Sequence, residues 1–152
     1  MSEQHKPPRK LNLLIVEDEP GDFRLLQLAV QKNNFEVVLH SAITAGDALA
    51  FLRREGEVNR HAPRPDLILL DLNLPGMTGL ELLAQIKEDK RLFPLPVVII
   101  TASGNEADVC AAYRCGAAGY VVKPADLNEF VMAIHDLGQY WFRLVRLPEQ
   151  FE

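Results

Sequence analysis

A chain of 152 residues suits one domain with a substantial core, and its 48% hydrophobic and 24% charged content is ordinary for a globular protein. The formal net charge of −5 and the absence of a basic stripe argue against a nucleic-acid partner, and no apolar run approaches the ~18 residues of a membrane span. The first residues lack the apolar core of a signal peptide, so we expect a cytoplasmic protein without membrane or nucleic-acid contacts.

Residues 1–10 are polar and contain two prolines, which predicts a disordered N-terminal tail. Beyond it, apolar runs of strand length predict strands at 11–16, 36–41, 67–70, 95–101 and 119–122. Between the strands, apolar residues at helical spacing predict helices beginning near Asp22, Thr44, Thr78, Asn105 and Asp126. The alternation predicts a doubly wound α/β fold, a five-stranded parallel sheet with helices on both faces.

The third strand, Leu67–Leu70, is an unbroken apolar run that leads directly into Asp71 and is soon stopped by Pro75-Gly76. Such a run is typical of a central strand covered on both faces, and open α/β sheets bind their ligands at the carboxyl ends of their strands. Asp71 is therefore a candidate site residue. A simple turn-capping role is the alternative, because Asp is common in turns.

The carboxyl ends of the other strands carry further polar side chains at the same predicted edge. The residues that we expect there are Glu17, Asp18, Asp71, Thr101 and Lys123. Like charges about 4 Å apart repel by about 4 kcal/mol at an effective dielectric constant of about 20, so the acids need a cation. Oxygen ligands without nearby His or Cys favour Mg²⁺ over zinc.

The lysine and the threonine at this edge are donors suited to a tetrahedral anion, which suggests a phosphoryl group beside the metal. An Asp carboxylate can act as the nucleophile and form an aspartyl phosphate, so Asp71 is the predicted phosphoacceptor. Each residue also has an ordinary structural interpretation. Lys123 could be a surface lysine, Thr101 a capping hydroxyl, and Glu17-Asp18 the charged start of a helix.

Four motifs in this order resemble the response-regulator receiver domain of bacterial two-component signalling. They are Val16-Glu17-Asp18-Glu19, Asp71-Leu72-Asn73-Leu74-Pro75-Gly76, Ile100-Thr101-Ala102-Ser103 and Gly119-Tyr120-Val121-Val122-Lys123-Pro124. The resemblance implies a flavodoxin-like strand order 2-1-3-4-5 and a receiver domain over residues 11–138. It also implies Mg²⁺ on Asp18, Asp71 and the backbone carbonyl of Asn73, with Glu17 acting through water.

The family further implies a switch in which Thr101 moves toward the phosphoryl group and Tyr120 changes rotamer. It implies a cis peptide bond between Lys123 and Pro124. It also implies that the protein is not a conventional enzyme but assists only its own phosphorylation and dephosphorylation.

Residues 139–152 are predicted to extend the last helix and end in a tail. Tyr140, Trp141 and Phe142 widen its apolar surface beyond one stripe, which predicts a homodimer through this helix or the adjoining face. In the alternative, residues 147–151 fold back and cover that surface. With no room for an effector domain after Gly138, we expect output through protein contact or phosphorelay.

The Arg64-Pro65-Asp66 entry to the third strand and the Trp-containing end are similar to small response regulators paired with bacterial phytochromes. That similarity implies a sensor histidine kinase partner, a bacteriophytochrome in a light-sensing pathway. A general phosphorelay intermediate or a scaffold receiver is the alternative. An aspartate-nucleophile phosphatase would need a second acid where Asn73 stands, and a flavodoxin-like cofactor binder would need a phosphate loop where Glu17 and Asp18 stand.

Overall fold

The structure is a computed structural model that describes residues 10–148. Its five strands are β1 Leu11–Val16, β2 Val37–Ala42, β3 Leu67–Leu70, β4 Val97–Thr101 and β5 Gly119–Val122. They form one parallel sheet in the order β2-β1-β3-β4-β5, which confirms the predicted fold. The predicted tail at residues 1–10 lies outside the described residues except for Lys10.

The helices follow the strands in strict alternation and begin at side chains that cap them. They are α1 Pro20–Lys32, α2 Ala45–Arg53, α3 Gly79–Glu88, α4 Glu106–Arg114 and α5 Leu127–Gly138. Thr78 makes a capping box with Glu81 at the start of α3, and Asp126 accepts from the backbone of Glu129 in α5. Helix α1 starts at Pro20, a residue that suits the first helical position, and Glu19 caps it; the helical spacing of apolar residues is visible from Asp22 onward.

Strand β4 begins at Val97, two residues later than the sequence predicts. The amide of Leu95 donates to the carbonyl of Leu92 in a turn, and Pro96 has no N–H for the sheet ladder. The apolar pattern alone did not distinguish these two residues from the strand.

The core lies on both faces of the sheet, and alternate residues of β3 face opposite sides. Ile68 and Leu70 pack with α2, α3 and α4, whereas Leu67 and Leu69 pack with α1 and α5. All four residues of β3 are at most 1% exposed. The residue that follows β3 is therefore presented from a rigid, doubly covered strand.

The predicted extension of α5 is present, but it changes helix type. Helix α5 ends at Gly138, and a π-helix follows over Gln139–Leu144. Of the three predicted dimer residues, Trp141 and Phe142 pack against the α1 and α5 side of the core, while Tyr140 is 49% exposed. Within residues 10–148, no helix is both long and apolar enough to cross a membrane.

The peptide bond between Lys123 and Pro124 is trans, as are all peptide bonds between residues 10 and 148. The cis bond implied by the family resemblance is therefore wrong for this structure. Trans is the isomer that bonds before proline favour, by about 0.5–1 kcal/mol.

Candidate functional site

Asp71 lies directly after β3, where the strand ends and the chain turns toward α3. Its backbone amide donates to the carbonyl of Val16 at 3.1 Å, which continues the pairing of β1 with β3. Its Oδ1 accepts from the backbone N–H of Asn73 at 2.9 Å, and its Oδ2 accepts from Nζ of Lys123 at 2.8 Å. Asp71 thus caps its turn, as the simpler interpretation requires, and also belongs to a buried ionic cluster.

The ammonium group of Lys123 lies among three carboxylates. Its Nζ donates to Glu17 Oε1 at 2.6 Å, to Asp71 Oδ2 at 2.8 Å and to Asp22 Oδ2 at 2.9 Å. The side chains of Glu17 and Asp71 are 2% and 7% exposed, whereas that of Asp22 is 39% exposed. Lys123 is therefore not an ordinary surface lysine, and one cation faces more negative charge than it can neutralise.

Burial and hydrogen bonding shift the pKa values of the two buried acids, Glu17 and Asp71, in opposite directions. Burial raises the pKa of Glu17 to about 7, and the nearby Asp71 adds to this rise, while Lys123 opposes it. Burial also acts to raise the pKa of Asp71, but hydrogen bonds from Lys123 and from the Asn73 amide hold that pKa below its usual range. Without a metal, Glu17 therefore holds a proton more readily than Asp71 does.

The pKa of Lys123 is raised above that of a free lysine. Burial alone would lower it, but hydrogen bonds to Asp71, Glu17 and Asp22 more than compensate. The ammonium group is therefore charged, and its three N–H groups donate to the three carboxylates at the carboxyl edge of the sheet.

Thr101 ends β4 beside this cluster. It is 0% exposed, and its hydroxyl has no hydrogen-bond partner among residues 10–148. A buried hydroxyl without a partner costs free energy, so the site holds a donor that could bind an acceptor not among residues 10–148. A capping role for Thr101 would have given this hydroxyl a backbone partner.

Tyr120 in β5 is half-buried and packs against the α2, α3 and α4 side of the core. Its hydroxyl donates to the carbonyl of Ser103 at 2.8 Å, and Ser103 donates to Asp108 at 2.6 Å. Burial raises the pKa of the Tyr120 hydroxyl. This chain of contacts connects β5 to the loop after β4 and to the start of α4.

The acidic cluster differs in one member from the set implied by the family. Carboxylate oxygens of Glu17, Asp22 and Asp71 lie within 4.8 Å of one another, whereas Asp18 is half-buried and is not part of this group. Sequence reasoning missed Asp22. The signal was its place in the first turn of α1, which starts right after β1 and so begins at the same edge of the sheet.

The donor set suits a hard divalent cation. It consists of carboxylate oxygens, with the carbonyl groups of the turn after Asp71 close by in sequence. Such oxygen ligands favour Mg²⁺, Mn²⁺ or Ca²⁺ over softer metals. The residues present therefore fit the divalent ion that the sequence predicts, and the excess of negative charge over Lys123 supports it.

Comparison with known proteins gives a consistent result. The family described as the response regulator receiver domain matches residues 13–135. The response regulator Rcp1 of Synechocystis sp. is 38% identical over 151 residues, which cover 97% of this chain and 99% of Rcp1.

Two solved structures are similar along almost their whole length. The phosphorylated cyanobacterial phytochrome response regulator RcpA has a TM-score of 0.88 and 36% identity, covering 93% of this chain and 100% of RcpA. The Mn²⁺-bound form of Rcp1 has a TM-score of 0.85 and 37% identity, covering 91% of this chain and 99% of Rcp1.

Proposed function

The chain belongs to the response regulator receiver domain family, and from this premise we propose that it accepts a phosphoryl group on Asp71 and thereby switches a protein-interaction surface. The observation that carries the proposal is the Asp71 carboxylate, bonded to Lys123 at 2.8 Å directly after a rigid buried strand. The donor is the phosphohistidine of a sensor histidine kinase.

In the transfer, a carboxylate oxygen of Asp71 attacks the phosphorus atom. The bond from phosphorus to the donor histidine nitrogen breaks, and its electron pair stays on that nitrogen. Lys123 and the unpaired hydroxyl of Thr101 donate to the oxygens of the phosphoryl group after transfer. Lys123 exchanges one of its carboxylate partners for a phosphoryl oxygen, and the Thr101 hydroxyl shifts to reach another.

We assign the divalent ion to Asp18, Asp71 and the backbone carbonyl of Asn73, with Glu17 acting through water. A bound Mg²⁺ would neutralise charge on the phosphoryl group and align it with Asp71. Glu17 and Asp22 add to the negative potential that attracts the ion.

The switch follows from the same residues. A phosphoryl group gives Thr101 the acceptor that its hydroxyl lacks, and Thr101 and Tyr120 lie on adjacent paired strands. A shift of Thr101 would change the space beside Tyr120 and its bond to Ser103. The signalling surface would then be the outer face of α4, β5 and α5, a two-state element biased by a new charge.

We further propose a bacteriophytochrome as the partner kinase, in a light-sensing pathway in the cytoplasm. Support comes from RcpA, which is described as a phytochrome response regulator and is similar over nearly the whole chain. The proposal includes the division into an N-terminal tail (1–10), a receiver domain (11–138) and a C-terminal extension (139–152). It treats the protein as a regulator that assists only its own phosphorylation and dephosphorylation; a general phosphorelay role is the alternative.

Homodimerisation through the C-terminal extension is also part of the proposal. Tyr140 and Leu144 are 49% and 75% exposed, although Trp141 and Phe142 pack partly within the chain. Tyr140→Glu tests the interface better than a change at Trp141, since it leaves the core intact. Light scattering should give a dimer for the parent and a monomer for the variant; a monomeric parent would refute the dimer.

The central experiment is incubation with acetyl phosphate and Mg²⁺, followed by intact mass measurement. The parent should gain one acid-labile phosphoryl group, and Asp71→Asn should gain none. Asp136→Asn is the matched control, because Asp136 is an exposed acid on α5. Labelling of Asp71→Asn at the parent level would overturn the assignment. Light-dependent transfer from a phytochrome kinase, compared with a light-independent kinase, tests the pathway.

A further inference from the structure

A cavity of about 310 Å³ lies at the opposite edge of the sheet from Asp71. It is formed where the end of α2, the segment before β3 and the connection from α3 to β4 meet. The charged residues that line it are Arg53, Arg54, Glu55, Arg64, Asp89 and Arg91. Asp71 follows β3, whereas Arg64 precedes it, so the strand separates this cavity from the phosphoacceptor.

The cavity is positively charged in a protein of negative net charge. Four arginines and two acids line it, which leaves an excess of two positive charges, while the whole chain carries −5. Asp89 is already engaged, because it pairs with Nε of Arg53 at 3.3 Å and accepts from the amide of Arg91 at 2.9 Å. The side chains of Arg54 and Arg91 have no carboxylate partner among residues 10–148.

Arg54 has a backbone conformation that is unusual for arginine. It caps the end of α2 with φ of 56° and ψ of 42°, in the left-handed region where glycine is usual. An L-residue with a Cβ pays about 1 kcal/mol there. A glycine would end the helix without this backbone strain, so an arginine at this position indicates a function for its side chain.

The side chain of Arg54 is also fixed in place. Its Nε donates to the carbonyl of Ala62 at 2.8 Å, and its terminal nitrogens have no hydrogen-bond partner among residues 10–148. On the neighbouring wall, Arg64 donates to the carbonyl of Arg91 at 3.1 Å, which joins those two segments. Arginine side chains thus join the segments that form the cavity walls, and the terminal N–H groups of Arg54 remain available to a ligand.

We propose that this cavity binds a small anion with two or more linked phosphoryl groups. The planar guanidinium group presents paired N–H donors that match phosphate oxygens, and it keeps its charge at any physiological pH. Two guanidinium groups without carboxylate partners suit more than one phosphoryl group. Since no aromatic side chain lines the cavity to stack on a base, the phosphate chain itself is the recognised chemistry.

Calorimetric titration of the full chain in EDTA at low salt tests the proposal with inorganic phosphate, pyrophosphate and ATP. EDTA removes divalent ions, so the site at Asp71 does not contribute metal-bound phosphate. Pyrophosphate should bind about tenfold or more tightly than phosphate, which corresponds to about 1.4 kcal/mol. If ATP binds as tightly as pyrophosphate, the cavity accepts the phosphate chain of a nucleotide. If ATP binds more weakly, the ligand of the cavity is the free anion.

Two variants separate binding from folding. Arg54→Gly should weaken pyrophosphate binding about tenfold without lowering the melting temperature, since glycine tolerates the left-handed conformation. Arg91→Gln should weaken pyrophosphate binding similarly. Arg24→Gln on α1 should leave it unchanged, because Arg24 bonds to Gln27 and does not line the cavity. No pyrophosphate binding at millimolar concentration, or equal binding by all four proteins, would overturn the proposal.

Discussion

The backbone amide of Lys123 donates a 2.7 Å hydrogen bond to the carbonyl oxygen of Thr101. This bond continues the pairing of β4 with β5 beyond the last strand residues. It fixes the backbone of Lys123 relative to that of Thr101. The two donors that we assign to the phosphoryl group are therefore carried by one paired stretch of backbone, and Asp71 follows the neighbouring strand β3.

Replacement of Thr101 by valine should stabilise the protein without phosphate and impair its switching. Valine has the shape of threonine but lacks the hydroxyl, which is buried without a partner in the described structure. Removal of an unsatisfied buried polar group should raise the free energy of unfolding by about 1 kcal/mol. Urea unfolding without Mg²⁺ or phosphodonor measures the gain.

Thr78→Val is the matched control for that measurement. Thr78 caps α3 and accepts from the amide of Glu81 at 3.2 Å, so its loss should cost about 1 kcal/mol. A loss of stability at Thr101 similar to that at Thr78 would show that the Thr101 hydroxyl has a partner in solution. The phosphorylation-dependent change in melting temperature should be smaller in Thr101→Val than in the parent.

Lys123→Met should make stability strongly dependent on Mg²⁺. Without the ammonium group, three carboxylates repel one another, and loss of a buried charge partner costs about 3 kcal/mol. Solvent at the Asp22 side chain, which is 39% exposed, keeps this loss at the lower end of that for a fully buried pair. A divalent ion would replace the missing charge, so Mg²⁺ should raise the melting temperature of this variant more than that of the parent.

Lys90→Met is the control for the lysine experiment, because Lys90 is exposed and lies far from the cluster in the chain. It should unfold like the parent at every Mg²⁺ concentration. Equal stabilisation of all three proteins by Mg²⁺ would contradict a metal site at this edge.

The two acids Asp18 and Asp22 should differ in their effect on metal affinity. We assign Asp18 as a direct ligand, whereas Asp22 is already bonded to Lys123 at 2.9 Å. Asp18→Asn should therefore weaken Mg²⁺ binding about tenfold or more, and Asp22→Asn by less. Titration of melting temperature against Mg²⁺ ranks them. The reverse order would place the ion in the observed cluster with Glu17 and Asp71.

Gly79→Ala should destabilise the protein and slow its phosphorylation. A Cβ on Gly79 would overlap the backbone carbonyl of Asp71 and the Cα of Leu72, so the site itself must shift. Overpacking of this kind costs about 1–3 kcal/mol. Urea unfolding and the initial rate with acetyl phosphate measure both effects.

Gly46→Ala, in the first turn of α2, is the matched control. A Cβ there would lie 3.8 Å from the Thr44 hydroxyl, an ordinary contact, and alanine favours helix by about 1 kcal/mol over glycine. This variant should be as stable as the parent or more so. A stable Gly79→Ala with a normal phosphorylation rate would refute the close approach at Asp71.

His40 should make stability fall in mild acid. Burial holds the pKa of its imidazole below the usual value of about 6.5, and its Nε2 lies 2.9 Å from Oδ1 of Asn12. Between the folded and unfolded pKa values of His40, the unfolded chain binds more protons than the folded chain does. The contribution of neutral His40 to the free energy of unfolding is therefore fully present above about pH 6.5 and is lost as the pH falls below it. The urea midpoint of His40→Gln should depend less on pH than that of the parent; identical dependence contradicts the assignment.

Much of the fold could be predicted because its signals are local. The strands β3 and β5 were predicted with their observed bounds, since apolar runs there stop at Asp71 and Lys123. The caps Thr44, Thr78, Asn105 and Asp126 were likewise visible in the sequence. The π-helix over Gln139–Leu144 could not be predicted, because the spacing of its apolar residues does not distinguish it from a continued α-helix.

The part of the site that lies at the strand ends could be predicted from the sequence. Parallel topology brings Glu17, Asp71, Thr101 and Lys123 to one edge, so their approach followed from the fold. The contact of Lys123 with Asp22 depends on how α1 sits on the sheet, which periodicity does not give. The arginine-lined cavity was missed for a similar reason, since Arg54, Arg64 and Arg91 meet only after three separate segments have packed.

The π-helix at residues 139–144 also bears on how such regulators diverge. Its closing bond runs from the amide of Val145 to the carbonyl of Tyr140, five residues apart, so this turn holds one residue more than an α-helical turn. Deletion of a single residue here would let the α-helix continue and rotate everything beyond by about 100°. A one-residue insertion or deletion would thus redirect the exposed side chains of this segment, such as Leu144, while the sheet and Asp71 stay unchanged. Partner choice could then evolve by changes of length as well as by substitution.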